Sequence, residues 1–203
     1  MSIYNTKSVN DLIEDSTKRS KMGVGIHSNC NLESIEIAKT KANVDYMEFI
    51  FVKKEDNTFM NQRIWFPNPN PKPFDGETPE QALEREIKSK LSHVVKILKT
   101  FVSEKDAEIN ANSFGEFCSI AKARIEKTNF KNQPVYLKVI YDKDGVFTQF
   151  PTFPNYIQKQ VEGQECRIKM SAWELENRCT PAKINEAPKG SGTINAEDDD
   201  LPF

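Results

Sequence analysis

The chain has 203 residues, 29% of them charged and 37% hydrophobic, enough for one well-cored domain with appendages or for two small ones. It contains no run of about 18 apolar residues, which excludes a transmembrane helix. Its first residues lack an apolar segment followed by a small-residue cleavage site, so a cytoplasmic location is expected, or the host cytoplasm for a viral protein. The net charge of −2 is split unevenly: residues 197–203 hold four acids and no Lys or Arg, leaving 28 basic against 26 acidic side chains in the rest. A mildly basic body with an acidic end fits a nucleic-acid binder, although +2 is an ordinary balance for any soluble domain.

Cys30, Cys118, Cys166 and Cys179 include no C-x-x-C pair, and reduced thiols are the default without a secretion signal. His27 and Cys30 form a lone H-x-x-C, to which Cys166 and Cys179 could add two ligands. Free, partly buried cysteines are the better reading, and no metal or cofactor is assigned.

Residues 1–21 are polar with scattered apolar positions and read as an arm, with a short helix around Val9–Ile13. From Met22 the pattern becomes strand-like, with Gly23 and Gly25 followed by alternating Ile35 and Ile37. A long first strand bent by glycines is one device that closes a small barrel. Tyr46–Val52 is the clearest strand, aromatic and β-branched, with Met47, Phe49 and Phe51 on one face and Tyr46, Glu48, Ile50 and Val52 on the other. Turn residues Glu55-Asp56-Asn57 lead to the hairpin partner Phe59–Phe66. Its alternation puts Asn61, Arg63 and Trp65 on one face. Such a face is a stacking platform for bases with Arg63 reaching phosphate, or a core Trp65 with Arg63 extending beside it; the pattern leaves both open.

Residues 67–76 carry four alternating prolines and read as an extended connector. Thr78-Pro79-Glu80-Gln81 is a capping box with Pro at the first helical position. Leu83, Ile87, Leu91, Val94, Leu98 and Phe101 then recur at spacings of four and three, the mark of a buried helix face. Ser113–Glu116 reads as a second capping box, opening a helix with Phe114, Phe117, Cys118, Ala121 and Ile125 on its apolar side. Strands resume at Val135–Tyr141, where Tyr136, Lys138 and Ile140 share one face. Asp142-Lys143-Asp144-Gly145 is a hairpin turn, with Val146–Phe150 returning. Phe150, Phe153 and Tyr156 crowd a proline-containing loop with Lys159 just beyond; they can stack on unpaired bases or cap one end of a barrel. Cys166–Trp173 reads as a short strand or helix. Pro, Lys, Asn, Gly and Ser then dominate, as in a linker.

Strand, strand, strand, helix, strand, strand is the order of an OB-fold. The expectation is a mainly β (α+β) architecture: a five-stranded OB barrel over residues 1–176, with a two-helix insertion at about 78–127 between strands 3 and 4. A flexible linker over 177–196 and an acidic tip over 197–203 follow, solvated because its like charges repel. The candidate nucleic-acid contacts are Arg63, Trp65, Tyr136, Lys138, Phe150, Phe153, Tyr156 and Lys159.

The chain ends Glu197-Asp198-Asp199-Asp200-Leu201-Pro202-Phe203. An aromatic ring and a carboxylate on one residue, preceded by acids, suit a peptide held by an apolar pocket with basic neighbours. The six residues DDDLPF closely resemble the tip of bacterial single-stranded DNA-binding proteins, which typically ends DDDIPF. The resemblance implies an OB-fold that coats single-stranded DNA. It also implies that Asp198, Asp199, Asp200, Leu201, Pro202 and Phe203 recruit replication, recombination and repair proteins. It covers six of 203 residues. The two long helices and short linker depart from the bacterial family and look more like a divergent, phage-type member, so tetrameric assembly is not carried over and a homo-oligomer stays open. The alternatives are an RNA-binding or other OB-type accessory protein of a replication complex, and a nucleic-acid-processing enzyme. Against the last, the sequence has no Walker loop, H-E-x-x-H or G-x-S-x-G.

Overall fold

A fifteen-residue strand organises the sheet, because its two halves serve different neighbours. The computed structural model describes residues 19–153 and 155–181. In chain order these form β1 (Ser20–Lys21), β2 (Gly25–Lys39), β3 (Asp45–Lys53), β4 (Thr58–Trp65), α1 (Pro79–Phe101) and α2 (Phe114–Glu126). β5 (Val135–Tyr141), β6 (Thr148–Gln149), β7 (Ile157–Lys159) and α3 (Ala172–Asn177) follow. Residues 1–18 of the expected arm, with Val9–Ile13, Pro154, and residues 182–203 with most of the expected linker and the whole tip lie outside the described residues; the last arm residues, Ser20–Lys21, form β1.

The sheet runs β1-β4-β3-β2-β5-β6, with β7 also on β5, and every pairing but β1–β4 is antiparallel. The N-terminal half of β2 pairs with β5 and its C-terminal half with β3. The register shifts between His27 and Cys30, where Asn29 takes φ 56°, and again between Leu32 and Ser34. The long strand is thus bent within by bulges, one of them at an asparagine in the left-handed region, while Gly25 (φ 141°) opens it. The glycines expected to make the bend mark its entry instead.

The architecture is mixed α+β. The described residues give seven strands rather than five, and ladder hydrogen bonds do not close them into a barrel, since β4 is not paired with β6 or β7. One cause is local. Val146 and Phe147 stay in the turn, where Asp142 Oδ1 accepts from the Val146 amide, and Pro151 beyond Phe150 cannot donate to a ladder, so the return strand expected over Val146–Phe150 shrinks to β6 and β7 begins afresh after the loop. Phe150 meets Phe51 of β3 edge-on at 5.8 Å and stacks on Tyr156 at 4.7 Å. α1 packs against both β4 and β7.

Thr78 and Gln81 exchange hydrogen bonds at the start of α1, a complete capping box. At α2 only half of the expected box forms: Ser113 accepts from the Glu116 amide, but the Glu116 carboxylate turns to the amide of Asn112. Along α1, Val94, Leu98 and Phe101 enter the core, whereas Leu83, Ile87 and Leu91 are half-buried along a groove with Phe66, Pro67 and Phe114. The core lies between the sheet's inner face and these helices, with Leu32, Phe49, Phe51, Met60, Leu98, Ile125, Leu137 and Ile157 fully buried. Each contributes roughly 1.5–3 kcal/mol.

Candidate nucleic-acid interface

Antiparallel register decides what shares a face. Tyr46 pairs with Trp65, Glu48 with Arg63, and Ile50 with Asn61. These six residues lie on the outer face of β3 and β4, and the next pair inward, Met47 and Ile64, is buried in the core. Tyr46 and Trp65 are half-buried, their ring centroids 5.3 Å apart and their planes tilted by 58°. The Arg63 guanidinium lies 4.5 Å from the Tyr46 centroid and 5.6 Å from that of Trp65. Arg63 therefore does not extend past a core tryptophan; it stacks across two aromatics at the surface.

A polar network fixes this cation. Glu48, buried among its neighbours, accepts from Arg63 Nη2 at 3.0 Å and Nε at 3.2 Å, and from Asn61 Nδ2 at 2.7 Å. Asn61 Oδ1 in turn accepts from Lys21 on β1, whose ammonium sits 4.4 Å over the Phe59 ring. Partial burial pushes the Lys21 amine below its ordinary value; Glu48 pulls it up and Arg63 pushes it further down. The result is a strip of three aromatics (Phe59, Tyr46, Trp65) with two cations and one largely compensating carboxylate. Flat rings can stack with bases of any sequence, and cations beside them can reach phosphate.

Tyr46, Phe59 and Lys21 were not singled out from sequence. The hairpin register held the signal for Tyr46, because the turn at 54–57, with Asn57 at φ 50°, fixes it opposite Trp65. β1, which brings Lys21, is two residues long and leaves no periodic trace.

The other sequence candidates are dispersed. Lys138 is 4% exposed, with its ammonium 2.8 Å from Glu174 Oε1 and 3.3 Å from the Lys169 carbonyl. It holds the C-terminal segment to the sheet and is not available to phosphate. Burial pushes the Glu174 carboxyl up, but hydrogen bonds from Lys138 and Ser171 outweigh this and hold it below its ordinary value. Phe150 and Tyr156 are core residues, 5% and 0% exposed. Tyr156 stacks on His93 and its hydroxyl lies 3.2 Å from His93 Nδ1. Burial raises the Tyr156 phenol and lowers the His93 imidazole. These two aromatics fill the gap between β3, β5 and α1, and no base can reach them. Tyr136 is half-buried on the outer face of β5, opposite Gln158 of β7. Phe153 is 80% exposed and lines a groove of about 490 Å³ with Arg85, Lys88 and Ser92 of α1. Lys159 is exposed at the end of β7.

His27 Nε2 lies 2.8 Å from the Gly23 carbonyl, and Cys30 points into the core, so the H-x-x-C pair is not brought together as ligands. No group of three His, Cys, Asp or Glu among the described residues is placed to hold a metal. Burial pushes the Cys30 and Cys118 thiols up to about 12, which keeps both protonated. Among the described residues no helix is long and apolar enough to cross a membrane. Compared with models of known protein families and with curated proteins, the chain finds no match in either.

Proposed function

We propose that the chain is a non-enzymatic single-stranded DNA-binding protein, in which bases stack on Trp65 and Tyr46 while Arg63 and Lys21 meet the phosphates. The observation that carries this is the strip on the outer face of β3 and β4. Two half-exposed rings at 5.3 Å with a guanidinium across both form a sequence-tolerant platform for an unpaired strand. A duplex offers no free base faces, so single strands are preferred. Coating the strand keeps it from re-pairing during replication, recombination and repair.

An OB-type reading of the sheet supports the proposal. β2, β3 and β4, then the helices, then β5 and β7 follow the OB order, and β2 pairs with both β3 and β5 as a first barrel strand does. The strip then occupies the face of the second and third barrel strands, where OB-folds bind oligonucleotides. α1 packs on both β4 and β7, across the seam where ladder bonds are missing. Recruitment of replication and repair proteins by Asp198–Phe203 belongs to the same proposal and rests on the resemblance of that hexapeptide.

The test is a titration with single-stranded and duplex DNA of equal sequence over a range of salt. Tight single-strand binding is expected, with a log–log salt slope of about −0.7 per phosphate neutralised, and much weaker duplex binding. Equal affinity for the two would overturn the reading.

A further inference from the structure

Nine of the 24 Lys and Arg among the described residues face a carboxylate in an ion pair: Arg19, Lys39, Lys53, Arg63, Arg85, Lys88, Lys90, Lys122 and Lys138. Other grooves with cations in their walls also hold an acid, as Glu84 beside Arg85 and Lys88, or Asp106 beside Lys105 and Lys127. A groove of about 450 Å³ beside β7 differs. Lys96 of α1, Lys159 of β7 and Arg167 of the following segment line it, together with Asn155, Gln158 and Gln164, and no carboxylate does. None of the three cations is ion-paired among the described residues. Glu162 and Glu165 lie in the same connecting segment but outside the lining. The groove's walls are fixed: Gln158 Oε1 accepts from the Arg167 amide at 2.8 Å, Ile157 and Ile168 are buried beneath, and Gln160 is held by Asn29 on β2.

Three cations without a carboxylate in the same lining, with amide side chains among them, suit an anion. Resting on the single-stranded DNA reading above, we propose that this groove is a second contact of the protein with the strand, gripping its phosphodiester backbone through Lys96, Lys159 and Arg167. The division of labour is chemical. The β3–β4 strip is mostly rings, with Arg63 held by Glu48 and Lys21 by Asn61, which suits bases and the phosphates beside them. The β7 groove has free charge and polar amides without an exposed aromatic in its lining, which suits phosphates and is blind to sequence.

The experiment compares two triple variants that remove the same charge. One is Lys96→Gln, Lys159→Gln and Arg167→Gln; the other takes the exposed Lys54, Lys105 and Lys127 to Gln. Each is titrated with labelled oligothymidylate longer than the roughly 4–16 nucleotides that one OB-type domain covers, across a range of salt. The groove variant is expected to bind roughly tenfold or more weakly, with a salt slope shallower by about 2, corresponding to three lost phosphate contacts. Its Trp65 quenching at saturation and its melting temperature should match those of the wild type. If the two triple variants bind alike while Trp65→Ala weakens binding, the groove proposal is wrong and the strip reading stands. If the wild type does not bind oligothymidylate, both fall.

Discussion

The outer faces of β4 and β5 carry the same local pattern, an aromatic and a cation two residues apart: Arg63 with Trp65, and Tyr136 with Lys138. Their fates differ. On β4 the arginine is 40% exposed and stacks on two half-buried rings. On β5 the segment that follows β7 folds back across the strand. Lys138 bonds to the Lys169 carbonyl and to Glu174 of α3, and the Tyr141 amide to the Arg178 carbonyl. Ile140, on the same face, is 5% exposed. Alternation along a strand says which side chains travel together. Whether that side meets water is decided by chain thirty or more residues away.

Removing the cover's anchor should produce the largest effect on this contrast. Lys138→Met leaves Glu174 buried without its partner and should cost about 3–5 kcal/mol of stability. Adding Glu174→Leu should restore most of it, because a well-packed apolar pair can replace a buried ion pair. A denaturant series on the single and double variants checks this. A Lys138→Met protein as stable as the wild type would mean that the strap does not hold the face closed.

A paired substitution sharpens the difference between buried and open aromatics. Tyr156→Ala should cost about 3–5 kcal/mol in stability, since it empties the contact between Phe150 and His93. Trp65→Ala should leave the melting temperature nearly unchanged and weaken single-strand binding by roughly 1–3 kcal/mol. Thermal melts beside DNA titrations decide; the reverse assignment would exchange the roles of the two sites.

The smallest effect concerns Glu48, the carboxylate on the open face. Glu48→Gln keeps a hydrogen-bond acceptor for Arg63 while removing the charge that competes with phosphate. Binding should tighten by up to about 1 kcal/mol, with a steeper salt dependence. Weaker binding would show that Glu48 is needed to orient the guanidinium more than it repels the strand.

Much of the scaffold was legible in the sequence, and for identifiable reasons. The β3–β4 hairpin announced itself by strict alternation around a turn, and α1 by a capping box before an apolar stripe. Both signals are local. The candidate strip was legible only as far as the hairpin reached: alternation put Arg63 and Trp65 on one face, and Tyr46 lay across the ladder within the same pattern. What failed depended on distant chain. For Phe150 and Tyr156 the sequence left base stacking and packing at one end of a barrel both open, because nothing near them reveals that Phe51 and His93 receive them. Lys138 looked free because its partner lies 36 residues further on. The basic groove draws Lys96, Lys159 and Arg167 from three separate segments; sequence singled out Lys159 alone, because no local pattern joins it to the other two.

The central claim is that an unpaired strand lies on the β3–β4 face, and the chain offers a direct probe of it. Its only two tryptophans are Trp65 and Trp173, so Trp173→Phe leaves Trp65 as the sole indole. Trp173 is 56% exposed on α3, so its replacement should not disturb the core. Fluorescence of this variant should be quenched in step with binding of single-stranded DNA, and should change little with duplex at the same concentration. Binding that leaves the Trp65 emission unchanged would place the strand elsewhere on the molecule and contradict the account.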